Sequence, residues 1–277
     1  MHNSPVLSIS ALKSGLIASG SSIYAIKVLN VDETIMRTFT GHTDAVLSLT
    51  ELENGDLASG SNDNSIKIWS LVTNGLVKTL NGHSKGVQSL VVLKNGYLAS
   101  GSLDNSILIW DTNSGGVVRR QDGHSEGVYA LVLLKNGDLA SGSADWSIKI
   151  WNGDSGELVH TLNGHSSTVL ALAVLNSVNL ASGSYDSMVK VWNTDNGELV
   201  RTLSGHTGAV FSLAVLQSGY LVSGSLDKSI KIWNVDDGSV KVELNDHSDT
   251  VCSLAVLSNW DLVSSSYDTT IKLWKVK

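Results

Sequence analysis

Residues 82–111 read GHSKGVQSLVVLKNGYLASGSLDNSILIWD, and nearly the same text recurs along the whole chain. Within it, residues 87–93 (VQSLVVL) are a near-continuous apolar run of strand length, which suits a strand buried on both faces. Lys94, Asn95 and Gly96 follow as a hairpin turn, where Asn-Gly supplies the positive φ angles of a two-residue connection. Leu98–Ser102 (LASGS) is then a strand of small side chains, which a crowded interior accepts. Asp104, Asn105 and Ser106 turn the chain again into a third strand, Ile107–Trp110 (ILIW). Upstream, residues 76–80 (LVKTL) alternate as an outer strand that Asn81, Gly82 and His83 break, and residues 111–115 turn into the next such strand. No stretch holds a helical period for ten residues, and turn signals arrive at the spacing of an all-β chain.

The recurrence has a fixed period. His42, His83, His124, His165, His206 and His247 stand 41 residues apart, and Trp69, Trp110, Trp151, Trp192, Trp233 and Trp274 recur at the same interval. A four-stranded unit cannot bury its own faces, so such units stack, and a period near 40 that opens on Gly-His and closes on Trp predicts a β-propeller.

With these motifs the whole chain resembles the WD40 family. In that family a His, a Ser or Thr of the second strand, an Asp of the next turn and a Trp of the third strand form a buried hydrogen-bonded tetrad. Carried over, the sets are His42/Ser59/Asp63/Trp69, His83/Ser100/Asp104/Trp110, His124/Ser141/Asp145/Trp151, His165/Ser182/Asp186/Trp192, His206/Ser223/Asp227/Trp233 and His247/Ser264/Asp268/Trp274. The chemistry is sound without the family name. A buried carboxylate needs donors, an imidazole donates to it while accepting from Ser or Trp, and an indole N–H left unpaired inside is costly.

The departures are informative too. A seventh copy lies at the N-terminus at a spacing of 40, with residues 6–9, 16–21 and 26–29 aligned to later strands. It keeps His2 and Ser19 but carries Ile23 where Asp belongs and Leu29 where Trp belongs, so its tetrad is broken and apolar packing has to replace it. The Trp-Asp dipeptide survives only at Trp110–Asp111; Ser70, Asn152, Asn193, Asn234 and Lys275 serve that turn elsewhere. Seven inner strands are matched by six outer ones: Ile35–Phe39, residues 76–80, Val117–Gln121, Leu158–Leu162, Leu199–Leu203 and Val240–Leu244. The expected fold is therefore all-β, a seven-bladed WD40-type β-propeller whose last blade lacks its outer strand. The expected units of this single domain, residues 1–277, are approximately 1–40, 41–81, 82–122, 123–163, 164–204, 205–245 and 246–277. Since only Met1 precedes His2, no N-terminal strand is expected to clasp the ring, and closure is left to packing of the first blade on the last. Lys272, Lys275 and Lys277 are expected to guard the open edge, which favours a monomer over an edge-paired dimer.

Composition narrows the partner class. Of 277 residues, 42% are hydrophobic and one is Pro, which suits a large core of hairpins without long linkers. A net charge of −7 offers no general attraction to nucleic acid or anionic lipid. No apolar run is long enough to span a membrane, and residues 1–10 do not read as a secretory leader. With Cys252 as the one cysteine, a cytoplasmic or nuclear protein that is not secreted is expected.

Ser, His and Asp together evoke a hydrolase triad. Six equivalent copies, each completed by Trp, are architecture instead, because an active site needs one copy. Cys252 on an apolar strand reads as packing. The His residues stand one per blade beside Asp, so no metal is expected. Residues 154–157 and 195–198 lack the alternating acidic series of a calcium loop and sit where every unit turns. No cofactor is implied.

The positions that the architecture leaves free carry the functional expectation. In the resembled family, partners dock most often on the narrow face, at residues either side of the first-strand Val and just before the tetrad Asp. These are Pro5/Leu7, Ala45/Leu47, Gly86/Gln88, Gly127/Tyr129, Thr168/Leu170, Ala209/Phe211 and Thr250/Cys252, and then Ser22, Asn62, Leu103, Ala144, Tyr185, Leu226 and Tyr267, with Trp146 beside them. The resemblance thus implies a face gathering Leu47, Leu103, Tyr129, Trp146, Leu170, Tyr185, Phe211, Leu226 and Tyr267, an apolar and aromatic cluster of the kind that binds protein. Arg37, Arg119, Arg120 and Arg201 all fall on outer strands, away from that face, which disfavours phosphate recognition. The leading expectation is a non-catalytic scaffold for a peptide or protein partner. A self-assembling structural propeller is the alternative, and an enzyme ranks below both.

Overall fold

A computed structural model describes residues 3–32 and 34–276. Within them, seven antiparallel sheets follow one another along the chain, six of four strands and one of three. Blade 1 comprises Val6–Ala11, Ile17–Ser21, Ile26–Leu29 and Ile35–Phe39, and blade 7 comprises Val251–Val256, Leu262–Ser266 and Ile271–Trp274. The five between begin at Val46, Val87, Val128, Val169 and Val210. Within each blade the strands pair in sequence order, so the inner strand lies at one edge and the outer strand at the other. His2 and Lys277 fall outside the described residues.

The small-residue strand explains how the blades stack. Every residue of Leu98–Ser102 is buried, as is every residue of its counterparts. Gly101 faces the inner strand of the next blade so closely that a Cβ there would lie 2.7 Å from Val128 Cγ1. The Gly of LASGS is therefore a steric requirement at the junction. Apolar clusters span the junctions: Ile66, Ile68 and Leu80 of blade 2 pack with Leu90, Leu98 and Trp110 of blade 3.

The hairpin turns differ from the expected type. Among Lys94, Asn95 and Gly96 only Gly96 has positive φ, at 81°. The Gly96 N–H donates to Leu93 O and the Leu93 N–H to Tyr97 O, so this is a three-residue loop, a type I turn followed by one left-handed residue, rather than a two-residue turn. Asn95 contributes its side chain instead, accepting from the Tyr97 N–H at 3.1 Å.

At the closing junction, Val6, Ile9, Ile17 and Leu29 of blade 1 form one cluster with Leu257, Val263 and Ile271 of blade 7. The Ile9 N–H donates to Ser253 Oγ across it at 3.2 Å. Here Ser265 takes the place of the junction Gly, and its buried hydroxyl has no hydrogen-bond partner among the described residues.

Candidate functional site

Two sets of polar and aromatic side chains have to be told apart, those that hold the blades and those that remain free. The six tetrads belong to the first. In blade 2 the Trp69 Nε1–H donates to Ser59 Oγ at 2.8 Å, Ser59 Oγ lies 2.7 Å from His42 Nε2, and His42 Nδ1 lies 2.7 Å from Asp63 Oδ2. A carboxylate on Nδ1 fixes the proton there and leaves Nε2 to accept from the hydroxyl. Trp therefore reaches His through Ser. The other five sets repeat these contacts, with His–Asp separations of 2.7–2.9 Å.

The tetrad serines are the most enclosed members of these sets. Ser59, Ser100, Ser141, Ser182, Ser223 and Ser264 are each 0% exposed. Ser100 accepts from Trp110 Nε1–H, Ser141 from Trp151 and Ser264 from Trp274, each at 2.8 Å, and Ser182 accepts from Trp192 at 2.7 Å. The same four hydroxyls lie 2.7 Å from Nε2 of His83, His124, His247 and His165 respectively. These contacts make them internal fastenings of the blades. No ligand can reach Ser100, Ser141, Ser182 or Ser264, because the second strand that carries each is covered on both sides, and both partners of the hydroxyl are already in place.

Five of the six tetrads also have a fifth member that the family pattern does not mark. Ser65, Ser106, Ser147, Ser229 and Thr270 each donate a hydroxyl to the Asp at 2.6 Å, while Met188 stands there in blade 5. The 41-residue period alone marks that position.

Burial pushes Asp63 up, but this is outweighed by the Ser65 hydroxyl, backbone N–H groups and His42, which hold it at about 2. Asp104 and Asp268 are likewise held at about 2 against burial. The His42, His83 and His247 imidazoles are pushed down, first by burial. Neutral imidazoles on ionised carboxylates, shut inside a sheet, are a fastening; the His42 side chain is 0% exposed. Burial pushes the Cys252 thiol up to about 12, the opposite of an activated nucleophile. No cluster of three or more metal-ligating side chains occurs among the described residues, and no helix there is long and apolar enough to cross a membrane.

The free set gathers at one mouth of the ring. The two series of face positions meet through the backbone: the N–H of Tyr185 donates to Thr168 O, Leu226 to Ala209 O, Tyr267 to Thr250 O, Leu103 to Gly86 O and Ala144 to Gly127 O, all at 2.8–3.0 Å. Leu7, Leu47, Gln88, Tyr129, Leu170, Phe211 and Cys252, one per blade, line a central channel of about 510 Å³, with Tyr267 at its rim. These seven are half-buried, as is Leu103, so those Leu side chains serve blade packing and channel wall together. Tyr185 and Trp146 are each 54% exposed, Tyr267 47% and Leu226 43%. The Tyr185 and Phe211 rings stand edge to face, with centroids 6.4 Å apart.

Blade 1 adds two residues that the sequence expectation does not include. Ile23 and Tyr24 occupy the turn that holds Asp63 and Asn64 in blade 2, and both are exposed. Tyr24 and Trp146 share a φ of 70° at a position filled elsewhere by Asn64, Asn105, Ser187, Lys228 and Thr269. A left-handed backbone under an aromatic side chain costs roughly 1 kcal/mol. Apolar residues at a loop tip are the signal that marks them.

The arginines face away from this mouth. Arg37 donates to Asn74 Oδ1, Arg119 to Asp154 O and Arg201 to Asp236 O, each fastening an outer strand to a turn of the next blade. Arg120 pairs with Asp122 on the surface.

A family model described as WD domain, G-beta repeat, matches residues 33–70, 74–111, 115–152, 156–193, 197–234 and 236–275. The chain belongs to the WD40 family. Its seven-bladed architecture is also that of a solved relative, the crystal structure of the WD40 beta propeller domain of Doa1. That structure aligns with a TM-score of 0.90 at 25% sequence identity, covering 100% of this chain and 94% of the other. No curated protein sequence matches this WD40 chain. WD40 propellers are typically platforms for protein partners.

Proposed function

We propose that this WD40 propeller is a non-catalytic scaffold that captures a peptide or protein segment at the channel mouth, anchored by Trp146, Tyr185, Phe211, Leu226 and Tyr267. The observation that carries the reading is the exposure of four large apolar or aromatic residues on four consecutive blades, of which Tyr267 borders the 510 Å³ channel and Tyr185 packs against its wall residue Phe211. Such residues dominate interface energy when a partner covers them. Leu47, Leu103, Tyr129 and Leu170 supply the floor against which an inserted side chain packs. The inactive thiol of Cys252 and the absence of Arg at the mouth favour an apolar ligand over chemistry or phosphate recognition. The reading places the protein's action in the cytoplasm or nucleus, where a lone thiol persists.

A photo-crosslinking residue at Gln88, on the channel wall, is expected to trap a defined partner, whereas one at Val118 on an outer strand is not. Tyr185→Ala with Phe211→Ala is expected to abolish trapping with the melting temperature held within a few degrees. A double variant that unfolds would make the two rings core, and trapping that survives it would place the partner elsewhere.

A further inference from the structure

The inner strands wall the channel, and their hydrogen-bond alternation decides which backbone groups they present to it. In blade 5 the Leu175 N–H donates to Asn179 O at the hairpin. Counting back by twos, Ala173 and Ala181 exchange hydrogen bonds, and Leu172, opposite Ser182, turns its N–H away from the blade and into the channel. By the same count from the Leu216 N–H bond to Tyr220 O, Leu213 of blade 6 does likewise. Elsewhere such a group is taken up by a serine of the preceding blade: the Leu90 N–H donates to Ser48 Oγ at 3.0 Å, Leu131 to Ser89 at 3.0 Å and Ile9 to Ser253 at 3.2 Å. Ser8 and Ser212 keep the hydroxyl at two further junctions.

Blades 5 and 6 break that series. The residues in place to accept from Leu172 and Leu213 are Ala130 and Ala171, so two N–H groups on adjacent blades face the channel with no acceptor among the described residues, and the wall is hollowed by the two missing hydroxyls. They lie two strand residues, about 6.6 Å, below the mouth residues Leu170 and Phe211. The Gln88 carboxamide and the Tyr129 hydroxyl, on the same wall, have no hydrogen-bond partner among the described residues either. No charged side chain lines the channel.

We propose that the channel selects a glutamine of the bound segment, whose carboxamide oxygen accepts from the Leu172 and Leu213 N–H groups; this rests on the reading of the mouth as a peptide site. The glutamine stem packs among Tyr129, Leu170 and Phe211, and its amide finds further polar groups at Gln88 and Tyr129. The alternatives fail on chemistry. Lysine and arginine bring donors to donors and would be buried with no carboxylate on the wall. A glutamate meets donors but no cation, below loops that carry Asp44, Glu126 and Asp249 against Lys85 and Lys228 in a chain of net charge −7. Leucine suits the apolar part of the wall but leaves both N–H groups unpaired once it displaces water. Asparagine is one methylene short of the depth.

The probes are phage-displayed nonapeptide libraries with Gln, Leu, Glu or Lys fixed at the centre and the other positions random, selected on the full chain and counter-selected on the Tyr185→Ala, Phe211→Ala chain. The Gln library is expected to enrich most. Its recovered peptide, titrated by fluorescence anisotropy, is expected to lose about tenfold or more in affinity when that Gln is replaced by Leu or Glu, and to move the amide proton resonances of Leu172 and Leu213 downfield. Ala130→Ser with Ala171→Ser is expected to weaken the peptide as much, by setting hydroxyls on those N–H groups as Ser48 and Ser89 do in blades 3 and 4, with the melting temperature no lower than that of the native chain. If no library yields a peptide that the counter-selection removes, the mouth reading falls and this inference with it. A mouth peptide that prefers Leu, Glu or Lys, or a Gln peptide indifferent to the two serines, overturns the glutamine pocket alone.

Discussion

Replacing Asp145 by Ala tests whether the tetrads hold the blades. Asp145 Oδ2 accepts from His124 Nδ1 at 2.7 Å and from the Ser125 N–H at 3.1 Å, and Oδ1 accepts from the Ser147 hydroxyl at 2.6 Å and the Ser147 N–H at 3.0 Å. The alanine leaves these four donors without their acceptor. Ser125 is exposed, and water replaces its bond. Ser147 Oγ already lies 3.4 Å from His124 Nδ1 and recovers part of the imidazole's need. What remains is about two buried donors, and at about 1–3 kcal/mol for each unsatisfied group, less the recovery, the loss is about 3 kcal/mol. For a chain of this size that lowers the melting temperature by roughly 6 °C or more. Asp111→Ala is the control, since its carboxylate accepts from the Ser114 hydroxyl and the Asn113 N–H in an exposed turn, and it is expected to leave the melting temperature close to that of the native chain. Thermal unfolding followed by tryptophan fluorescence reads both. If Asp145→Ala melts with Asp111→Ala, the His–Asp contact is not a fastening and the account of the tetrads fails.

Serine on the second strand should act with opposite signs at two positions. Ser223→Ala strips Trp233 Nε1 and His206 Nε2 of their common partner and is expected to destabilise by about 2 kcal/mol. Ser265→Ala removes a buried hydroxyl that has no partner and is expected to stabilise by about 1 kcal/mol; equal signs in urea denaturation would sink the distinction. Stability should also fall with acid in two stages. The folded-state values of His42, His83 and His247 lie below the ordinary 6.5, so their contribution is complete above about pH 6.5 and declines as pH drops from there. Asp63, Asp104 and Asp268, held at about 2 against an ordinary 3.8, add a second loss from about pH 4 down to 2. A urea midpoint that stays flat from pH 7.5 to 5 would show that the imidazoles are not kept neutral by the fold.

Repetition is what makes the fold legible. His42 and its five counterparts fix the period. The period aligns Ser59, Asp63 and Trp69 with their copies, and one strand short of seven fours places the gap in the last blade. Lys94–Asn95–Gly96 suits two loop types, and only the backbone angles choose between them. The face is partly legible for a related reason. Positions such as Tyr185 and Leu226 vary between repeats, so the period says where they stand but not whether they project. Leu103 and Leu226 hold the same position of the repeat yet differ in exposure, which depends on the size of the neighbours from two adjoining blades. Ile23 and Tyr24 are hard to see in the sequence because a broken tetrad reads first as a defect, although the side chains that break it are exposed.

The departures from the repeat are not scattered. Leu29 replaces Trp in the blade that follows the three-stranded one, and Phe39, Leu80, Leu162 and Leu203, near the ends of outer strands, are the ones that pack against the next blade's Trp. With no outer strand on blade 7, a Trp at position 29 would lack that cover, whereas Leu29 is buried by Leu257, Val263 and Ile271. Position 242 follows the same logic. Arg37, Lys78, Arg119, His160 and Arg201 each reach the turn after the next blade's third strand. The corresponding residue facing blade 7 is Val242, 43% exposed. Ser265 relaxes the junction glycine at this same closure. Three independent positions thus depart from the repeat at the junction where, among the described residues, blade 7 has three strands.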